Sequence, residues 1–164
     1  MWKRLTFLVL IAALLPVLAE DKKKAKYKSM EVRHFAQAEG VELTPEFPDF
    51  LYAQMRQDFQ KSGVFEQIIG ENEAVDPADA ASSLIVQGKL LEYRKGSKAK
   101  EYLVGFGAGR RALKAHLTVI RRQGNETVLD KDIEVKASSF ADPKVLAKAI
   151  SNHIKKEVLD SLKK

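Results

Sequence analysis

Hydrophobic and polar residues alternate along several segments of the chain, a spacing that is typical of strands with one buried face. Alternation and strand-forming composition predict five strands, at residues 27–35, 64–69, 84–93, 113–119 and 127–135. The last two strands flank a Gln-Gly-Asn turn and are predicted to pair as a hairpin. In the third strand the alternation slips beside Gly88, which indicates a bulge or a close approach of other backbone atoms.

Two longer segments have hydrophobic residues at the spacing of one helix face. The first helix is predicted to begin with Thr44 as N-cap and Pro45 in the first turn, and to end at Gly63. The second begins at Pro143, and a short helical turn is predicted at residues 76–81. This order of elements predicts an α+β fold, with a mostly antiparallel sheet of four or five strands and the two long helices packed on one face.

The N-terminal segment, residues 1–19, has the three regions of a secretory signal peptide. Lys3 and Arg4 precede a short apolar run, which ends in a small-residue exit at Ala19. With Pro16 inside it, this run is a poor match to the roughly 20 apolar residues that a membrane-spanning helix needs. We therefore predict cleavage after Ala19 and export to the periplasm or out of the cell. The alternative is an uncleaved N-terminal anchor.

Cleavage would leave residues 20–164 as a single α+β domain, with its core between about residues 27 and 162 and no transmembrane span. Hydrophobic residues make up 45% of the chain, enough to form a core. The sequence contains no cysteine, which excludes disulfides, thiolate catalysis, thiolate metal sites and cysteine-linked lipid anchors.

Charge is divided between two opposed blocks. The net charge is +6, and loss of the two basic residues of the signal peptide would lower it to +4. Residues 39–79 contain ten acidic and two basic residues, whereas residues 94–122 contain nine basic and one acidic. The basic block is either a polyanion or phosphate site, or part of a surface that faces the acidic block or solvent. Nucleic acid is not an expected partner, because the aromatic residues follow core spacing and the chain is exported.

Three of the nine glycines lie within five positions, at residues 105–109. Such density indicates positive φ angles or close approach of other atoms. The motif is not a dinucleotide-binding or P-loop signature, since residue 110 is arginine and no Gly-Lys-Ser/Thr follows. One interpretation is a backbone nest that binds a carboxylate or phosphate with help from the two following arginines. The other is a tight structural connection in which the phenylalanine fills the core. The candidate ligand-binding residues are Gly105, Phe106, Gly107, Gly109, Arg110 and Arg111.

Catalytic motifs are absent from the sequence. His34, His116 and His153 are scattered, without the spacing of a metal site. Asp130 and Asp132 share one face of a predicted strand, where paired carboxylates usually belong to a solvated surface. We therefore expect no catalytic residues, no bound metal, no cofactor and no enzymatic activity.

The Gly-Phe-Gly-Ala-Gly motif, the strand with its charged, glycine-containing end at residues 84–97 and the alternation at 113–119 resemble the bacterial family called domain of unknown function 4410. The resemblance spans about residues 27–140. It implies an exported protein, often a lipoprotein, without an assigned activity, and a fold similar to the amino-terminal domain of TolB and to the curli-secretion lipoprotein. This chain departs from the lipoprotein members because it has no cysteine to acylate.

Two functions of different classes follow. The first is a non-catalytic interaction or assembly domain of the cell envelope with an envelope protein as partner. The alternative is a binder of an anionic small molecule, lipid headgroup or glycan at the loop of residues 105–111. A concave pocket beside that loop would favour the second function.

Overall fold

Both long helices and the hairpin are present in the computed structural model, which describes residues 27–104 and 109–163. In chain order the strands are β1 (Ser29–Val32), β2 (Ala36–Gln37), β3 (Gln67–Ile69), β4 (Ser83–Arg94), β5 (Arg111–Arg121) and β6 (Thr127–Ala137). The helices are α1 (Phe47–Ser62), α2 (Lys98–Val104) and α3 (Pro143–Ser161). A 3-10 helix at Pro77–Ser82 matches the predicted helical turn.

The sheet is mixed and has six strands, so the predicted sheet of four or five mostly antiparallel strands is confirmed only for the antiparallel part, β4 to β6. Its order is β3-β1-β4-β5-β6, with β2 also paired to β4. Strand β1 is parallel to β3 and β4, and β2 is parallel to β4, whereas β4–β5 and β5–β6 are antiparallel. The parallel half arises because helix α1 crosses over between β1 and β3, which returns the chain in the same direction.

The two long helices pack against each other and against the sheet, as expected for an α+β fold. Helix α1 contacts β1 and β3, and α3 contacts β5 and β6. Helix α1 ends at Gly63, as predicted, where φ is +64°. It begins later than predicted, with Glu46 as N-cap and Pro48 in the first turn, because the Thr44 carbonyl accepts a bond from Phe47 in a preceding turn. The largest fully buried side chains include Phe47, Phe59, Met30, Leu51, Met55, Leu84, Leu113, Leu117 and Ile150.

The predicted strand at residues 27–35 is shortened to β1, and β2 follows just after it. Phe35, between the two strands, is outside the sheet ladder and buried in the core. A Cβ atom at Gly88 would lie within 3.0 Å of the Phe35 ring and of the His116 carbonyl oxygen. The predicted close approach at Gly88 is therefore confirmed. The bulge lies slightly further on, between Leu90 and Glu92, where the register of β4 against β5 shifts.

Several predictions fall outside the described residues. They are the signal peptide at residues 1–19 and the first three candidate site residues, Gly105, Phe106 and Gly107. Within the described part of the chain, no helix combines the length and the apolar character that crossing a membrane requires.

Candidate functional site

The described members of the glycine motif lie where the chain returns to the sheet. At Gly109 φ is +81°, and a Cβ atom there would lie within 3.0 Å of the Ser97 carbonyl oxygen. The Ser97 amide donates a 2.7 Å hydrogen bond to the Gly109 carbonyl. Gly96 is also at positive φ, and a Cβ atom there would lie within 3.0 Å of the Gly109 carbonyl oxygen. The positive φ and close approach expected of the motif are thus present at Gly109. The contact between Ser97 and Gly109 joins the two ends of the segment between β4 and β5 that contains α2.

Helix α2 was not predicted, because its seven residues show no apolar periodicity. It is attached to the loop after β6 through Glu101, whose carboxylate accepts bonds from the Ser139 amide, at 2.7 Å, and from the Ser139 hydroxyl. The hydroxyl bond is the main cause that lowers the pKa of Glu101. Lys98 lies 5.6 Å from the centre of the Phe140 ring. The polar contacts fix α2 on one side and leave its apolar side chains in solvent.

A cavity of about 240 Å³ lies beside the end of the glycine motif. It opens between the end of β4, the start of β5 and the first turns of α1 and α3. Its lining residues are Glu42, Leu43, Thr44, Phe47, Tyr93, Lys95, Arg111, Pro143 and Leu146. We call it the Arg111 pocket.

Of the described candidate site residues, Gly109, Arg110 and Arg111, only Arg111 lines this pocket. Odd-numbered residues of β5, such as Leu113 and Ala115, face the core, and Arg111 continues that face to the strand's end. Its Nε atom is buried and has no hydrogen-bond partner among residues 27–104 and 109–163. Arg110 precedes the strand, is exposed and is not a lining residue.

Sequence reasoning missed the other polar residues of the Arg111 pocket. At the rim, Lys95 forms a 2.7 Å ion pair with Glu42. This bond is the main cause that raises the pKa of Lys95 and lowers the pKa of Glu42. More than fifty residues separate the two partners in sequence, so no local spacing indicates the contact. For Arg111 a signal existed, since alternation in β5 predicts its side chain on the core face.

Most of the ion pairs that the two charge blocks form in the described residues join them to other parts of the chain. Within the described residues, Lys95–Glu42 is the one ion pair that joins the two blocks. The remaining pairs of the basic block use acidic residues outside residues 39–79, as in Arg94–Glu134, Lys114–Asp132, Arg121–Glu126 and Arg122–Glu31. The acidic block and the basic block therefore do not pair with each other as two complementary charged surfaces.

Each histidine lies beside a carboxylate. His34 is 2.7 Å from Glu71, His116 is 2.9 Å from Asp132, and the half-buried His153 is 3.3 Å from Glu157. No group of three potential ligand side chains in the described ranges has the arrangement of a metal site. The predicted carboxylate pair on β6 brackets His116, because Asp130 is 3.3 Å from the same ring.

The titration of His116 provides a test of this arrangement. Its hydrogen bond to Asp132 is the main cause that raises the pKa of His116. Asp132→Asn should therefore lower that pKa toward the ordinary value of about 6.5, and Asp130→Asn should lower it less. The stabilising contribution of the charged ring is complete below the pKa of the unfolded chain, and it is lost as pH rises through the raised pKa of the folded protein. NMR titration of the ring protons measures these values. Identical pKa values in wild type and Asp132→Asn would contradict the prediction.

Known proteins share this fold. The sequence of residues 19–141 matches the family model described as Domain of unknown function (DUF4410). No curated protein matches the sequence significantly. The PelC dodecamer from Paraburkholderia phytofirmans is similar in structure, with a TM-score of 0.57 and 12% identity over 79% of this chain and 86% of that chain. The hypothetical protein CT253 from Chlamydia trachomatis has a TM-score of 0.52 and 7% identity over 83% and 98% of the two chains.

TolB from Acinetobacter baumannii is also similar, with a TM-score of 0.46 and 13% identity over 83% of this chain and 28% of that chain. The family match extends from before β1 to after β6, so it includes the whole sheet. It also includes the glycine motif on which the resemblance rests. The chain therefore belongs to the family Domain of unknown function (DUF4410).

Proposed function

We propose that this protein is a non-catalytic assembly domain of the bacterial cell envelope, which binds further copies of itself through α2. The signal-peptide pattern of residues 1–19 supports the envelope location, because such segments direct export. The proposed partner is a protein, and the proposed role depends on contact surfaces and not on a reaction.

Exposure of apolar side chains on α2 is the main observation in favour of assembly. Tyr102, Leu103 and Val104 are consecutive, and their exposed fractions are 84%, 79% and 65%. Phe140, which is 59% exposed, lies at the same end of the fold beside Lys98. Covering apolar surface is worth roughly 25 cal/mol per Å², and neighbouring exposed apolar side chains mark protein contact sites. A protein partner would therefore gain free energy by covering α2.

A second observation concerns the kind of partner. PelC is a dodecamer, so a domain of this fold can assemble with copies of itself. At 12% identity the likeness is one of fold, and it does not define the number of subunits in this protein. The bond from the Ser139 amide to Glu101 holds α2 in place, so its apolar side chains form a constant surface for a protein partner.

Self-assembly is tested by sedimentation velocity on protein purified from cells that express the whole chain. The wild type should form oligomers whose population increases with concentration. A Tyr102→Ser, Leu103→Ser double variant should sediment as a monomer, because it removes most of the apolar surface of α2 and leaves the buried core unchanged.

Val64→Ser is the matched control. Val64 is an exposed apolar residue before β3, outside α2, and its replacement should leave the oligomer intact. A wild type that remains monomeric at every concentration would refute the proposal. An oligomer unaffected by the double variant would equally exclude α2 as the contact surface.

A further inference from the structure

We infer that the Arg111 pocket binds a small monocarboxylate with an apolar body about as large as a phenyl ring. This site is separate from the α2 surface and does not depend on assembly. Its described lining residues come from the end of β4 and the residue that follows it, the start of β5, the loop before α1 and the first turns of α1 and α3.

The first argument is the state of the Arg111 side chain. Guanidinium groups have five N–H donors, and buried donors in folded proteins are almost always hydrogen-bonded. The buried Nε of Arg111 has no partner among the described residues. The ion pairs of the described chain also do not include Arg111, unlike Arg94, Arg121 and Arg122 of the same basic block. Because Nε is itself buried, a ligand in the pocket would bond to the terminal nitrogens of Arg111, Nη1 and Nη2. A planar carboxylate accepts two parallel bonds from such a pair, with a strength about twice that of neutral hydrogen bonds.

Net charge defines the valence of the ligand. Among the described lining residues there are two cations, Arg111 and Lys95, and one anion, Glu42. Lys95 is already paired with Glu42 at the rim, so one positive charge remains uncompensated. A monoanion neutralises that charge. A dianion such as phosphate would add an unbalanced negative charge near Glu42, which is unfavourable in a partly desolvated site.

Volume and wall composition define the rest of the ligand. A dry cavity of about 150 Å³ accepts benzene, and the Arg111 pocket has about 240 Å³. Its walls include the apolar side chains of Leu43, Phe47 and Leu146. Phe47 and Leu146 are almost completely buried, so this part of the pocket is preformed by the core. A phenyl-sized body fits beside them while its carboxylate reaches Arg111.

Benzoate is the probe for this site. We expect isothermal titration calorimetry to detect benzoate binding to the wild-type protein, and no binding of the neutral isostere benzamide. Inorganic phosphate should bind more weakly than benzoate. Arg111→Gln should lower the affinity for benzoate at least about tenfold, since a hydrogen bond to a charged group accounts for a change of that size.

Arg110→Gln is the matched control. It removes the same charge from the neighbouring residue, whose side chain is exposed and lies outside the pocket. Its affinity should differ less than about twofold from the wild type, the size expected for a screened surface charge. Equal affinities for the Arg110 and Arg111 variants would overturn the inference, as would tighter binding of phosphate than of benzoate.

A second measurement does not depend on the fold of any variant. In the wild-type protein, benzoate should shift the methyl NMR signals of Leu43 and Leu146, which line the pocket. The signals of Val128 and Ile120, on the opposite end of the hairpin, should remain unchanged. Saturable shifts confined to the pocket methyls would support the inference, and their absence would refute it.

Discussion

Alanine at Gly88 should lower the free energy of unfolding by about 3 kcal/mol, the upper range for overpacking a core. The added Cβ atom would lie within 3.0 Å of two groups, the Phe35 ring and the His116 carbonyl oxygen. The ring is buried in the core and the carbonyl belongs to the neighbouring strand, so neither can move without disturbing the sheet. Urea denaturation followed by circular dichroism measures this change.

Gly124→Ala is the control for this substitution. Gly124 lies in the hairpin turn, where no atom would come within 4 Å of an added Cβ. Its cost is that of placing alanine at a φ of +81°, about 1 kcal/mol. A Gly88→Ala variant no less stable than Gly124→Ala would show that the β4–β5 ladder tolerates a side chain at this position.

The second large effect concerns a polar contact between the two long helices. The Ser151 hydroxyl of α3 donates a 2.7 Å bond to the Asp58 carboxylate of α1, which also accepts a 3.0 Å bond from Gln54. Asp58 is 7% exposed and Ser151 is fully buried. Ser151→Ala should cost about 2 kcal/mol, because a buried carboxylate then loses a donor and water cannot replace it.

A double-mutant cycle separates this contact from other effects of each substitution. Asp58→Ala and Ser151→Ala together should cost at least about 1 kcal/mol less than the sum of the single changes, since either one breaks the same bond. Ser161→Ala serves as the control on α3, because its hydroxyl bonds a carbonyl of the same helix. Additive single effects would mean that the bond makes no contribution to stability.

The sequence by itself determined the elements whose pattern is complete within a short segment. Helix α3 begins at Pro143 with Asp142 as its cap, and Leu146, Ile150, Ile154 and Val158 of its predicted apolar face are buried. The hairpin of β5 and β6 forms because its two alternating faces and its turn lie next to each other in the chain. In both cases local periodicity and the end signals are sufficient.

Part of the candidate site was also accessible from sequence. The alternation of β5 places Arg111 on the core face, and the glycine density indicates the backbone contact at Gly109. The Arg111 pocket could not be predicted from the sequence, because Lys95 and Glu42 meet only when the end of β4 lies beside the loop before α1. Helix α2 was also missed, since its apolar residues are consecutive and remain exposed.

Tertiary structure alone decided which strands pair and where the unpaired charge lies. Two arrangements, β4 beside β3 or β4 beside β1, are equally compatible with the pattern of β4, and the fold adopts the second. That choice makes the sheet mixed. It also places the second half of β4 beside β2, and Lys95, just after β4, beside the loop that contains Glu42. Local patterns report which face of an element is buried, whereas the identity of its neighbour depends on contacts between residues far apart in the chain.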